Sequence, residues 1–396
     1  MASTVGDGAL SAADHATGAG GAGASERGVG MMTTRPDGTG GVGPAGGAAA
    51  GGANERPGER RLANGAAFVE LLELGAAQTK RGLAVFPLVA TTNGGPWYVT
   101  LAEAIGSGRA KITEVDQGGS VPNLSVVNKG DARVLILDGE ELRGAKQNRV
   151  LSTAILIDRQ TTLVVPVSCT EQGRWAYASR EFAESEILAE RQVRFAMRRS
   201  SHVSLRSGAG VHADQGAVWS EVAMLHDKQG THSGTSAMRD AYEGRKLDLD
   251  RVIAAFPLVD GQNGLLVLHG SRVVGLDLVS RAPQYAELHD KLLRSYAFEA
   301  LVRGGEPGER PVADEFLARV AALPGQSFKS PGLGWDVRFE GEGVLGSALV
   351  YRGHAVHAAF FDVGGVSGSA DEPALDAQPS WRLADARERA RRRASH

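Results

Sequence analysis

The stretch DGEELRGAKQNRVLSTAILIDRQTTLVVPVSCTEQGRW, residues 138–175, decides how this chain folds. Two polar clusters bracket a long β-branched run. The first holds Glu140, Glu141, Arg143, Lys146, Gln147, Asn148 and Arg149. The second holds Cys169, Glu171, Gln172, Arg174 and Trp175. Between them, 150–157 and 162–168 read as two strands joined by a turn at 158–160. Antiparallel strands pair from the turn outward, so so short a hairpin returns its outer ends to each other. Residues 146–149 and 169–175 are therefore expected to be neighbours, and a site is expected where they meet.

Working outward, 83–90, 112–115, 125–128 and 134–137 are short strand candidates, and 68–72 forms a short amphipathic element. Thr100-Leu-Ala-Glu103 is a capping box that should open a short helix ending by Gly106. Downstream, 182–199 reads as a helix with Phe182, Ile187, Leu188, Val193 and Met197 at helical spacing. Its Arg194, Arg198 and Arg199 would complement the dipole of the last turns. Further helices are expected over 214–226 and 235–243. His269-Gly270-Ser271-Arg272 is a hairpin turn between strands 265–269 and 273–279. Tyr285, Leu288, Leu292, Tyr296 and Ala300 mark an amphipathic helix, 312–323 marks another, and 335–340, 344–351 and 354–361 close as strands. Elements come in blocks rather than in strict alternation. The expected class is α+β: a β-rich central core of hairpins, in a mixed or antiparallel sheet, with several packed helices.

The chain has 396 residues and a formal net charge of -3, a balance that argues for neither nucleic acid nor a membrane surface. Its one cysteine, Cys169, excludes an internal disulfide and a cysteine-based zinc cage. No basic stretch followed by an apolar run opens the sequence and no apolar run reaches membrane-spanning length, so a cytoplasmic protein is expected. Residues 1–60 are Gly/Ala-rich without an aromatic, and the sequence from 364 to 396 is polar and Arg-rich. Both read as disordered tails around one α+β domain over 62–363.

Several motifs fail on their mechanics. The glycine fingerprints at 18–23 and 38–43 neither follow a strand nor open a helix. Residues 139–146 carry one residue too many before Lys146 for a phosphate loop, with Gln147 where a hydroxyl belongs. Residues 341–346 sit between two strands, where no helix N-terminus would receive a pyrophosphate. The histidines lack ligand spacing, so no metal site is expected. The hydroxyls of 233–236 read as helix caps, and the arginines of 387–393 as a solvated tail.

What remains is the hairpin's open end. Cys169 is a nucleophile candidate on an otherwise apolar strand face; an inert buried thiol is the alternative. Glu140 or Glu141 could pair with Glu171 for acid/base chemistry, or each could be neutralised by a nearby Arg or Lys. Lys146, Gln147, Asn148, Arg149 and Arg174 combine amides with cations, as recognition of an anionic ligand requires, and Trp175 could stack on a base or ribose.

Gly139–Arg149 (GEELRGAKQNR) and Pro166–Trp175 (PVSCTEQGRW) resemble the ADP-ribosylglycohydrolase- and rhodanese-phosphatase-associated protein domain, a domain of unknown function. The resemblance continues through SGTSAM (233–238), GLLVLHGSRVVGLDL (264–278) and HAVHAAFF (354–361). It implies association with enzymes that remove ADP-ribose or phosphate, and brings no cofactor or catalytic residue with it. Three functions are carried forward: a binder of a small anionic, ADP-ribose-like ligand; a hydrolase using paired glutamates or the Cys169 thiol; and a scaffold for partner proteins.

Overall fold

The computed structural model describes residues 64–365, apart from 91–93, 117, 119 and 303. The expected tails, with their glycine fingerprints and terminal arginines, lie outside the described residues, save one 3-10 turn at Val363–Gly365.

Asn64 caps a short helix, α1 (Gly65–Val69). β1 (Leu72–Leu74) and β2 (Gln78–Lys80) then lie along one edge of β3 (Leu83–Ala90). β4 (Tyr98–Thr100) runs straight into α2 (Leu101–Gly106), where the Thr100 hydroxyl accepts from Glu103 N at 3.1 Å, as the capping box requires. Eight strands follow: β5 (Ala110–Glu114), β6 (Asn123–Asn128), β7 (Arg133–Ile136), β8 (Glu140–Gly144), β9 (Arg149–Leu151), β10 (Ile155–Ile157), β11 (Thr161–Cys169) and β12 (Phe182–Leu188). Six of them close a small barrel in the order β11-β6-β5-β12-β8-β9. β7 and β10 form a separate three-stranded sheet with β4, in which β4 and β7 run parallel.

Helices then accumulate: α3 (Arg191–Arg206), α4 (Gln215–Gln229), α5 (Met238–Gly244) and α6 (Lys246–Ile253). After them come β13 (Gly264–His269), β14 (Arg272–Val279), α7 (Ala282–Val302), α8 (Arg310–Ala321), β15 (Gly325–Lys329), β16 (Trp335–Gly341), β17 (Val344–Tyr351) and β18 (His354–Asp362). β1, β2 and β3 join β13–β18 in a nine-stranded antiparallel sheet that runs β1-β3-β13-β14-β18-β17-β16-β15. Both its faces are covered. Leu266 and Leu268 of β13 pack with Phe68, Phe316 and Val320 of α1 and α8; the alternate Leu265 and Val267 pack with residues of α3 to α7. The barrel has its own core, including Ile112, Val126, Leu142 and Val165. The fold is thus α+β with a β-rich core, as the blocks of elements indicate.

Two expectations are corrected. Residues 182–199 are not one helix. Phe182–Leu188 is the strand that closes the barrel, pairing with β8 and, at Phe182, with Ile112 of β5; its register shifts past Glu186 (φ 59°). Tertiary pairing overrode a weak helical periodicity. Residues 150–157 are not one strand either. The chain breaks at Ser152–Ala154, where Ser152 N donates to Pro166 O (3.1 Å) and the Thr153 hydroxyl donates to Asp336 Oδ2 (2.8 Å) in β16. β9 therefore stays in the barrel while β10 crosses to β7.

Arg194 and Arg198 do not serve the helix dipole. Both are fully buried, Arg194 in the first turn of α3 and Arg198 in its middle, away from the C-terminal end. Arg194 grips Asp277 of β14 through two hydrogen bonds of 2.9 and 2.6 Å, Arg198 pairs with Asp138, and His357 of β18 reaches Asp277 at 3.3 Å. Burial would raise both aspartates, but the arginines beside them hold Asp138 below its ordinary value and Asp277 well below it. This network ties the barrel's entry into β8 to the helical layer and the large sheet.

Candidate functional site

The two polar clusters do meet. Cys169 pairs with Arg149 across β11 and β9, and Thr170 N donates to Asn148 O at 3.1 Å. The turn from β8 into β9 is tight: Gly144 takes φ 127° and Ala145 φ 41°, and a Cβ on Gly144 would lie 2.5 Å from Ser179 Oγ. The stretch that mimics a phosphate loop is β8 running into this turn.

Each expected residue has a place. Glu140 is buried in an ion pair with Lys291 Nζ of α7 (2.7 Å), with Glu184 on the same ammonium, and also accepts from Leu137 N. Glu141 points elsewhere, to the Thr170 hydroxyl (3.3 Å) and Arg239 (3.7 Å). Burial pushes its carboxyl up to about 7, against the pull of those partners. Glu171 is the opposite case. Burial would raise it, but two hydrogen bonds from Arg174 (2.9 and 2.6 Å), one from Asn148 N (3.1 Å) and one from the Thr235 hydroxyl (2.9 Å) hold it below the ordinary range. Glu141 and Glu171 thus differ in protonation near neutrality, as an acid/base pair would. Yet Glu141 is fully buried and Glu171 already accepts four hydrogen bonds.

Arg174 is equally engaged. Beyond Glu171 it donates to Ala145 O (2.8 Å), Ala176 O (3.0 Å) and Asn148 Oδ1 (3.3 Å). Arg174, Asn148 and Glu171 form a closed clamp that fixes the turn against the strand end. Thr235 and the Ser233 hydroxyl belong to it too. Neither caps α5: Ser233 Oγ accepts from Ala237 N (2.8 Å), and 235–238 pairs with 170–173.

Arg149 differs from all of these. It is fully buried, and its Nη1 donates to Gln147 Oε1 (2.7 Å) and contacts Cys169 Sγ (2.6 Å). Its Nε and Nη2 are buried without a hydrogen-bond partner, and no ion pair with a carboxylate is found for it among the described residues. Buried guanidinium groups are costly unless paired. Trp175 covers it, with the ring centroid 5.5 Å from the guanidinium carbon and 5.2 Å from Lys146 Nζ; Tyr177 lies 5.1 Å from the same ammonium. Both rings are about half exposed (46% and 52%), on a connection from 170 to 181 that holds nothing more regular than one β-bridge. Gln215 of α4 brackets Cys169 from behind, accepting from its N–H (2.7 Å) and donating to its carbonyl (2.8 Å). Gln215, Thr235 and Arg239 carry no sequence signal, since each arrives from a separate helix or loop. Among the described residues no group of His, Cys, Asp or Glu is placed to hold a metal ion.

The described residues thus form a closed barrel beside a two-faced antiparallel sheet, with the Trp175 ring over the buried Arg149. A family model, the ARG and Rhodanese-Phosphatase-superfamily-associated Protein domain, matches residues 71–361, and the chain belongs to that family. Comparison with curated proteins and with solved structures returned no match. No helix among the described residues is long and apolar enough to cross a membrane.

Proposed function

We propose that the chain binds a small anionic ligand at Arg149, with Lys146 and Gln147 beside it and Trp175 as a movable cover. The observation that carries this reading is the buried guanidinium with two unfilled donor groups. A phosphate or carboxylate would fill both at once, since the guanidinium fork matches such oxygens. Asn148 and Arg174 act here by holding the turn rather than by touching the ligand. The family description, which names ADP-ribosylglycohydrolase-type and phosphatase company, favours an ADP-ribose-like or nucleotide ligand, and Trp175 offers a surface for a base to stack on. A cytoplasmic setting, which keeps Cys169 reduced, belongs to the same reading.

Calorimetry with ADP-ribose, NAD, simple nucleotides and pyrophosphate tests it, with tryptophan fluorescence reporting on Trp175. Heat and a fluorescence change lost in Arg149→Met are expected. Silence with every one of these compounds would defeat the proposal.

A second reading rests on the contact between Arg149 and Cys169. If the anion that satisfies the guanidinium is the Cys169 thiolate itself, the site is a nucleophile held under a lid. Alkylation separates the two: a thiol that reacts no faster than free cysteine once the cover is loosened by Trp175→Ala removes this reading.

A further inference from the structure

Arg149 lies at one mouth of the barrel, and a second unfilled group faces the same mouth. Alternate residues of a strand share a face. Ile112 of β5, Leu151 of β9 and Val167 of β11 belong to the barrel's apolar core. Glu114, Arg149 and Cys169, two residues away from them on the same strands, therefore face the barrel's inside as well. All three stand at one end. Glu114 closes β5 opposite Leu124, Leu124 pairs with Val165 of β11, and Cys169 closes β11 opposite Arg149. Glu114 Oε1 accepts from Lys146 N at 3.4 Å, so this side chain reaches across the mouth to the turn that leads into Arg149.

Glu114 is more than nine-tenths buried, and its Oε2 has no hydrogen-bond partner. The Arg149 Nε and Nη2 are in the same state, and no ion pair joins the two side chains among the described residues. A carboxylate and a guanidinium buried over one core yet held apart are costly on both sides. One molecule with an oxyanion at one end and a donor at the other would satisfy both. We infer that Glu114 sets the specificity of the Arg149 site, which takes a hydroxylated phosphate ester such as a sugar phosphate. This rests on the reading of Arg149 as an anion site: the phosphate lies on the guanidinium, and a hydroxyl donates to Glu114 Oε2.

The donor is a hydroxyl rather than an ammonium because the mouth already holds two cations. Lys146 Nζ donates to Gly118 O and lies 5.2 Å from the Trp175 ring and 5.1 Å from the Tyr177 ring, so the cover is furnished with its own positive charge. A further ammonium would be repelled by Lys146 and Arg149 together. A hydroxyl fills the Glu114 oxygen without adding charge. A site with a buried acceptor of this kind also rejects a ligand that lacks the donor, since the acceptor is then left bare.

Calorimetry of the full chain with ribose 5-phosphate, butyl phosphate and 4-aminobutyl phosphate tests this. Ribose 5-phosphate should bind more tightly than butyl phosphate by about tenfold or more, the worth of a hydrogen bond to a charged group. That gap should close in Glu114→Leu and narrow in Glu114→Gln, which keeps the shape and one acceptor. Equal affinity for the two esters in the parent, or a gap that persists in both variants, would overturn the inference and leave the Arg149 anion site standing. Tighter binding of 4-aminobutyl phosphate than of ribose 5-phosphate would overturn the choice of a hydroxyl. Silence with all three, and with pyrophosphate and ADP-ribose besides, would remove the anion reading and this inference with it.

Discussion

Arg149 Nη1 lies 2.6 Å from Cys169 Sγ at the first residue pair of β9 and the last of β11. Charge and thiol share one rung of the barrel. A guanidinium so close favours the thiolate over the thiol. Arg149→Met should therefore move the pH midpoint of Cys169 alkylation upward by about one unit or more. An unchanged midpoint would mean that the contact carries no electrostatic coupling.

Two buried arginines should respond oppositely to the same replacement. Arg194→Met takes from Asp277 its arginine partner, leaving His357 and the Tyr296 hydroxyl, and leaves Asp138 with one cation fewer, a change that costs about 3–5 kcal/mol. Arg149→Met strands no carboxylate, so its cost should stay within about 1 kcal/mol, or the protein should gain. Urea unfolding of both variants checks the order, and the reverse order would refute it.

The Glu141 carboxyl sets a pH dependence. Its pKa is raised from 4.5 to about 7, so the folded state holds more protons than the unfolded one between those values. Stability then falls as pH rises through that window, by up to about 1.4 kcal/mol per unit, and levels off above it. Glu141→Gln removes the slope. The variant should gain on the parent by about 2–3 kcal/mol between pH 5 and pH 8. Glu190 titrates in the same direction in both proteins and cancels from the difference. Urea midpoints at four pH values between those limits measure it, and a constant gap would contradict the assignment.

Thr153 joins the barrel to the large sheet. Its hydroxyl donates to Asp336 Oδ2 and accepts from Arg338 Nη2 (3.0 Å). Thr153→Val keeps the shape and removes both bonds, so it should cost about 1–3 kcal/mol by thermal or urea unfolding. No loss would mean the two layers are held by apolar contact alone.

Much of this was legible in the sequence. Period-two and helical patterns located β3, β13, β14, β16, β17, β18, α7 and α8, and the Thr100 cap was spelled out by its own residues. The meeting of 146–149 with 169–175 was expected from a hairpin that does not form: β10 pairs with β7 and 161–166 with β6, and only 149–151 and 167–169 pair with each other. What escaped reading was non-local. Phe182–Leu188 alternates imperfectly because of the bulge at Glu186, and nothing local says that a barrel needs one more strand. Arg194, Arg198, Asp277 and His357 look like surface charges until the elements that carry them are packed together. The same holds for Glu114, which reads as one charge on a short strand until closure of the barrel sets it beside the turn at Lys146.

β18, the last strand described, lies inside the large sheet between β14 and β17, not at its margin, and it delivers His357 to Asp277. A chain emerging from the ribosome therefore cannot finish its main sheet until almost the whole domain has been made. Before then β14 has an open flank, Asp277 waits among water molecules, and the half-built sheet is at its most exposed to wrong partners. The order of strands along the chain thus makes the closing of the main sheet depend on its last-made member.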